Sequence, residues 1–215
     1  MKYTLDYKAN KKEVIVMKIP LKYQSTEYDC VPTTFLNALN YLFDRKEIPP
    51  EVVQRVLLYS LDTINSNGEY GKHGTTGLAC QFILQWIEMY AAKNKNFALR
   101  CEYLTGEEVQ LTQNNRVVKC INSGGVALCS VCFDKSGSIY HYMLCTGADS
   151  EHLYFFDPYY RTQQFKNSDK HFMEWIKGEC NYNLKVSRER LEYTEYQKYS
   201  FGPIEERSCC LMIRI

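Results

Sequence analysis

The apolar residues change their spacing near residue 97, and this change constrains the fold more than any other feature of the chain. Before it, they recur at helical intervals. A helix is expected from Pro32, placed at the first helical position because its missing N–H would be unpaired there anyway, with Phe35, Leu36, Leu39, Leu42 and Phe43 at helical spacing. A second is expected after Pro50, with Val53, Val56 and Leu57 inward. A third, capped by Thr75 or Thr76, carries a stripe of Leu78, Phe82, Trp86, Met89 and Tyr90 and ends near Lys93 to Asn96. After Phe97 the pattern is mostly that of strands: FALRCEYL alternates, and VALCSVCF is a near-continuous apolar run, as in a central strand covered on both faces. Between these two lies a short helix around Val117 to Ile121, leading into Gly124-Gly125. IYHYMLCTG and HLYFFDP flank the turn GADSE, which predicts a hairpin. HFMEWIKG reads as a helix, the final CCLMIRI as a strand, and EVIVMKIP near the start as another strand. Helices first and an antiparallel sheet afterwards give the α+β class, a helical half packed on a sheet half with a cleft between them. With no linker or repeat visible, residues 1–215 are expected to form a single domain.

Composition narrows the function. Lysine and arginine total 26 against 25 aspartates and glutamates, with the signs interleaved, so nothing advertises nucleic acid as a partner. No apolar stretch reaches the roughly 18 residues of a membrane span, and the N-terminus lacks the apolar core of a signal peptide. A soluble, cytoplasmic protein is the expectation. Its 10 cysteines are then expected to be mostly reduced and buried. Cys129 and Cys132 have metal-ligand spacing, but on a strand residues three apart point to opposite faces, so no metal site is expected. No cofactor is implied, and no oligomeric state is indicated.

Four residues form a chemically coherent set. Thiolate is the nucleophilic form of cysteine, and a free thiol with a pKa of about 8.5 needs help to reach it. Cys30 stands at the mouth of the first expected helix, where unpaired N–H groups and the helix dipole favour an anion. Gln24, in QSTEYDC, is positioned to aim its amide at an oxyanion, with the Cys30 N–H as second donor. His141 falls early in its strand and Asp157 at the end of the next. For a turn centred between Asp149 and Ser150, cross-strand partners sum to about 299. His141 and Asp157 sum to 298, so they are expected nearly opposite each other, the carboxylate fixing the tautomer of the imidazole. His73, His152 and His171 fall in ordinary exposed contexts and are assigned no chemistry, while Tyr28, Tyr140 and Tyr142 are expected to line the cleft.

QSTEYDCVPTTFLNAL resembles the nucleophile motif of the bacteriocin-processing cysteine peptidases and their stand-alone relatives, a papain-like family that cuts double-glycine leaders. HGTTGLACQFIL, SGGVALCSV and HYMLCTGADSEHLYFFDPY follow in that family's order, from about Gln24 to Tyr160. The resemblance implies a papain-like fold with Gln24 at the oxyanion hole, Cys30 as nucleophile, His141 as base and Asp157 as third member. The chain departs from the family at Val31, where glycine is usual, and a branched side chain there is expected to narrow the cleft. No membrane domain is expected to accompany it, as in a stand-alone member. The leading expectation is a cysteine peptidase or amidase acting on a peptide or other amide through a thioester acyl-enzyme. An acyltransferase or transpeptidase using the same triad is the second. A catalytically silent binding protein of the same fold is the third, disfavoured because all four positions are filled.

Overall fold

The computed structural model describes residues 19–60, 64, 67–112, 115–137, 139–177 and 181–215. The strand expected in EVIVMKIP lies almost wholly outside them.

Helices α1 (Cys30–Leu42), α2 (Pro50–Tyr59) and α3 (Gly77–Lys93) come first, as the helical periodicity requires. The first helix opens earlier than expected. Its first intrahelical bond runs from Thr33 N–H to the Asp29 carbonyl at 3.2 Å, so Pro32 is its third residue and Cys30 its first. A proline is tolerated there because the N–H groups of the first turn have no helical acceptor. In α2, Pro50 occupies the first position and Val52 and Val56 face inward; Val53 is only partly covered and Leu57 is exposed, which corrects the expected face. In α3 the Thr76 hydroxyl caps the start by accepting from Ala79 N–H at 3.2 Å.

The buried stripe of α3 is Cys80, Ile83, Leu84, Ile87 and Ala91, not the expected one. Leu78 is 79% exposed, and Phe82 and Met89 also face outward. Both stripes have helical spacing, so period alone does not choose between them. The slimmer aliphatic face is the one that packs on the sheet.

Among the described residues seven strands form one sheet: β1 (Leu99–Thr105), β2 (Val126–Cys132), β3 (Tyr140–Ala148), β4 (His152–Phe156), β5 (Met173–Trp175), β6 (Leu184–Ser187) and β7 (Ser208–Arg214). Their order is β1-β7-β2-β3-β4-β6-β5 and every pairing is antiparallel. HFMEWIKG, expected as a helix, contains the short edge strand β5, whose residues Met173 to Trp175 pair with β6. Helices α4 (Arg116–Asn122) and α5 (Arg188–Leu191) complete the set.

Every residue of β2 is buried, as its apolar run requires. Val126 and Leu128 join a core shared with α1, α2 and α3, while Ala127, Cys129 and Val131 join a second core with Val117 of α4, Leu191 of α5, Tyr199 and Phe201. The layout is α+β, as expected, but the sheet is covered on both faces.

The β3–β4 hairpin differs from the arithmetic in an instructive way. Asp149 N–H bonds to the His152 carbonyl at 3.0 Å, which centres the turn one residue later than expected. Pairs near the turn, Ala148 with Leu153 and Gly147 with Tyr154, sum to an odd number. Continued unchanged, that register would put Asp157 on the face opposite His141. A bulge at Thr146 intervenes, and Cys145 then pairs with Phe155 and Leu144 with Phe156. The sum becomes even, and Asp157 follows on the His141 face, displaced diagonally and not directly opposite.

Candidate active site

A cleft of about 930 Å³ opens beside the start of α1, with Cys30, His141, Tyr28, Tyr140 and Tyr142 among its walls. The three tyrosines stand where they were expected. His73, assigned no chemistry from the sequence, also lines this cleft. Val31 is 1% exposed and packs into the helical core while also lining the floor of this cleft beside Cys30.

The loop before Cys30 is wound back onto the helix start by Asp29. The Asp29 carboxylate accepts from Ser25 N–H at 2.9 Å, and from both Thr26 N–H and the Thr26 hydroxyl at 2.7 Å. Gln24 N–H in turn donates to the Pro158 carbonyl at 2.8 Å, tying this loop to the end of β4. The Gln24 side chain donates from Nε2 to the Thr26 carbonyl at 2.7 Å, while its buried Oε1 accepts no hydrogen bond. Gln24 is thus brought beside the strand end that carries Asp157, with one amide hydrogen engaged and the other unassigned.

His141 and Asp157 meet directly. His141 Nε2 lies 2.6 Å from Asp157 Oδ1, with the histidine 3% exposed and the aspartate fully buried. Phe133 packs edge-on against the imidazole at 5.5 Å between centroids and shields it from water. Burial by itself opposes charge on His141, but the Asp157 charge, its hydrogen bond and the nearby Cys30 thiol outweigh it and raise the imidazole pKa to about 9. Burial likewise opposes ionisation of Asp157, and it is outweighed by His141, Arg161 and Tyr199, which hold the carboxyl below its ordinary range. With Nε2 committed to the carboxylate, Nδ1 is the nitrogen left for Cys30.

Asp157 has further partners that the sequence did not reveal. Oδ1 also accepts from Tyr159 N–H at 2.8 Å, and Oδ2 from the Tyr199 hydroxyl at 2.6 Å. Asn183 clamps the backbone: its Oδ1 accepts from Asp157 N–H at 2.7 Å and its Nδ2 donates to the Asp157 carbonyl at 2.9 Å. Asp29 carried a visible signal, an acidic residue directly before the cysteine. Tyr199 and Asn183 carried none, because only the folded chain brings them to the site.

Cys129 and Cys132 do not act as a pair. Cys129 instead faces Cys209 across β2 and β7, with sulfurs 3.6 Å apart. Among the described residues, all nine cysteines are free, no group of three or more His, Cys, Asp or Glu side chains is placed to hold a metal ion, and no helix is long and apolar enough to cross a membrane.

A cysteine in the first turn of the first helix, sharing a cleft with a buried histidine–carboxylate pair on an antiparallel sheet, points to the cysteine-peptidase class. The chain belongs to the Peptidase C39 like family, whose model matches residues 16–184. That membership carries a cysteine-peptidase type of function and a peptide type of substrate. No curated protein matches the chain.

Proposed function

We propose that the chain is a papain-like cysteine peptidase or amidase in which Cys30 attacks an amide carbonyl. Supporting it above all is the 2.6 Å contact of buried Asp157 with His141, which lines the same cleft as Cys30. In this reading His141 takes the thiol proton, and the resulting thiolate lies against the first-turn N–H groups of α1. The thiolate adds to the carbonyl carbon, and the oxyanion is met by Cys30 N–H and by the second amide hydrogen of Gln24. Protonated His141 gives its proton to the departing amine as the carbon–nitrogen bond breaks and a thioester forms. Water, deprotonated by His141, then releases the acid and restores the thiol.

Asp157 keeps the imidazole in one tautomer and stabilises its charged form without itself taking the proton. A double-glycine leader peptide handled by a stand-alone enzyme is the finer form of this reading and rests on the motif resemblance. We read residues 1–215 as one working domain.

Brief treatment with iodoacetamide at about pH 5.5, followed by peptide mass mapping, is expected to label Cys30 well before any other cysteine, because among the described cysteines Cys30 alone combines a helix start with a histidine partner. Cys30→Ala should fold and lose all turnover. Gln24→Ala should lower kcat by roughly 100- to 1000-fold, as loss of an oxyanion donor does. First label on another cysteine, or product released by Cys30→Ala, would move the nucleophile elsewhere.

A further inference from the structure

Tyr199 lies beyond the stretch matched by the family, yet its hydroxyl reaches the centre of the site. It is wholly buried, and its φ of 62° makes it the one non-glycine residue with positive φ among the described residues. Bulky side chains rarely adopt that backbone conformation, and where they do the surroundings must enforce it. Here the end of β2 enforces it. Tyr199 N–H donates to the Cys132 carbonyl and Cys132 N–H to the Ser200 carbonyl, both at 2.8 Å.

The hydroxyl is itself oriented. Arg161 Nε donates to the Tyr199 oxygen at 2.6 Å, which leaves the phenolic hydrogen free to go to Asp157 Oδ2. The guanidinium is packed over the rings of Phe133 at 4.6 Å and Tyr159 at 4.7 Å, so it has little freedom to turn away. Burial keeps the phenol protonated, hence a donor, well above ordinary tyrosine pH. A relay therefore runs Arg161 to Tyr199 to Asp157 to His141, with Cys30 beyond the imidazole.

We propose that Tyr199 is a positioning residue of the reaction: held by Arg161, it donates to the Asp157 oxygen that His141 does not use, and so keeps that carboxylate turned toward the imidazole. This rests on the reading above, in which His141 and Asp157 assist a Cys30 nucleophile. Four other titratable groups act on the carboxylate: His141 from β3 and Arg161 from the segment after β4 directly, and the Tyr159 phenol, which donates to Glu27, and Lys198 beside Tyr199 through their charge interactions alone. With a phenyl ring at 199, Oδ2 retains only Arg161 Nε at 3.5 Å. A buried carboxylate short of one donor takes up a proton at higher pH. The imidazolium then loses its partner at the acid end of the range, and Cys30 loses there the charged histidine that assists it.

The test uses the full chain and needs no knowledge of the natural substrate. The rate of Cys30 alkylation by iodoacetamide is measured by peptide mapping from pH 4.5 to 8.5 for the wild type, Tyr199→Phe and the control Tyr193→Phe, whose hydroxyl donates to Glu189 away from the site. Tyr199→Phe is expected to react about tenfold more slowly than wild type at pH 5 and within about twofold of it at pH 8. Tyr193→Phe should follow the wild type throughout. Arg161→Lys keeps the charge but gives up the guanidinium's bond to Tyr199, and it should shift the profile the same way by less; it also serves if Tyr199→Phe does not fold.

A Tyr199→Phe profile superimposable on the wild type, or lowered equally at every pH, would overturn the inference and leave Tyr199 a packing residue. A wild type in which Cys30 shows no excess reactivity at pH 5 would instead overturn the nucleophile reading on which it stands.

Discussion

At the scale of single residues, the buried ion pair ties stability to pH in a direction that can be worked out. The folded-state pKa of His141 is raised from an ordinary 6.5 to about 9. Its contribution to stability is therefore fully present below about pH 6.5 and is lost as pH climbs through 9. Asp157 is lowered from 3.8, so its contribution is present above that value and is lost as pH falls below it. Wild type should accordingly exceed Asp157→Asn by about 1.5–3 kcal/mol between roughly pH 4 and 6.5, with the gap narrowing toward pH 9. Urea unfolding at pH 5.5 and pH 9 measures it; a gap that widens with pH would contradict the charged pair. Part of the gap should persist at pH 9, because an asparagine has one acceptor oxygen where the carboxylate has two, so the donors on either Oδ1 or Oδ2 meet an NH2 group instead. His141 and Asp157 were legible as a histidine and a carboxylate at the far ends of one hairpin, 16 positions apart, although the parity that brings them to one face came from the bulge. Tyr199 was not, since its bond to Asp157 spans 42 positions that include β5, β6 and α5, and no single period links the two residues.

At the scale of elements, strand and helix identity was legible wherever the period was long, as in α1, α3, β2 and β3. Two things escaped. The face of α3 escaped because both of its faces are apolar, and the choice is made by the sheet it packs on. The bulge at Thr146 escaped because nothing in MLCTGADSE marks an extra residue, although the parity that brings Asp157 to His141 depends on it. HFMEWIKG is too short for its spacing to separate helix from strand, and the open edge of β6 settles it.

The assignment of α3 can be checked directly. Ile87→Ala, on the buried face, should lower stability by about 2–5 kcal/mol, whereas Met89→Gln and, on α2, Leu58→Gln should change it by less than about 0.5 kcal/mol. Chemical denaturation distinguishes them, and a large loss at Met89 would restore the face expected from the sequence.

For the whole molecule, the last strand in sequence lies inside the sheet. β7 stands between β1 and β2, and among the described residues β1 pairs with no other strand. Its side chains serve both cores, Cys210 and Met212 on the helical side and Cys209 and Leu211 on the other. Just ahead of it, buried Arg207 donates to the carbonyls of Gly202, Val109 and Glu192, each at 3.0 Å, and Glu205 to Ser208 line the cleft. Residues 185–215 are therefore part of the fold and of the site, although the family match ends at residue 184. A chain stopped after residue 184 would orphan β1, expose two sheet edges in mid-core and remove Tyr199 from Asp157. Such a chain is expected to show no cooperative urea transition and no preferential labelling of Cys30 at pH 5.5. If the truncated chain instead unfolds cooperatively and still labels first at Cys30, β7 is an addition to a core that stands without it, and the site is complete in the first 184 residues.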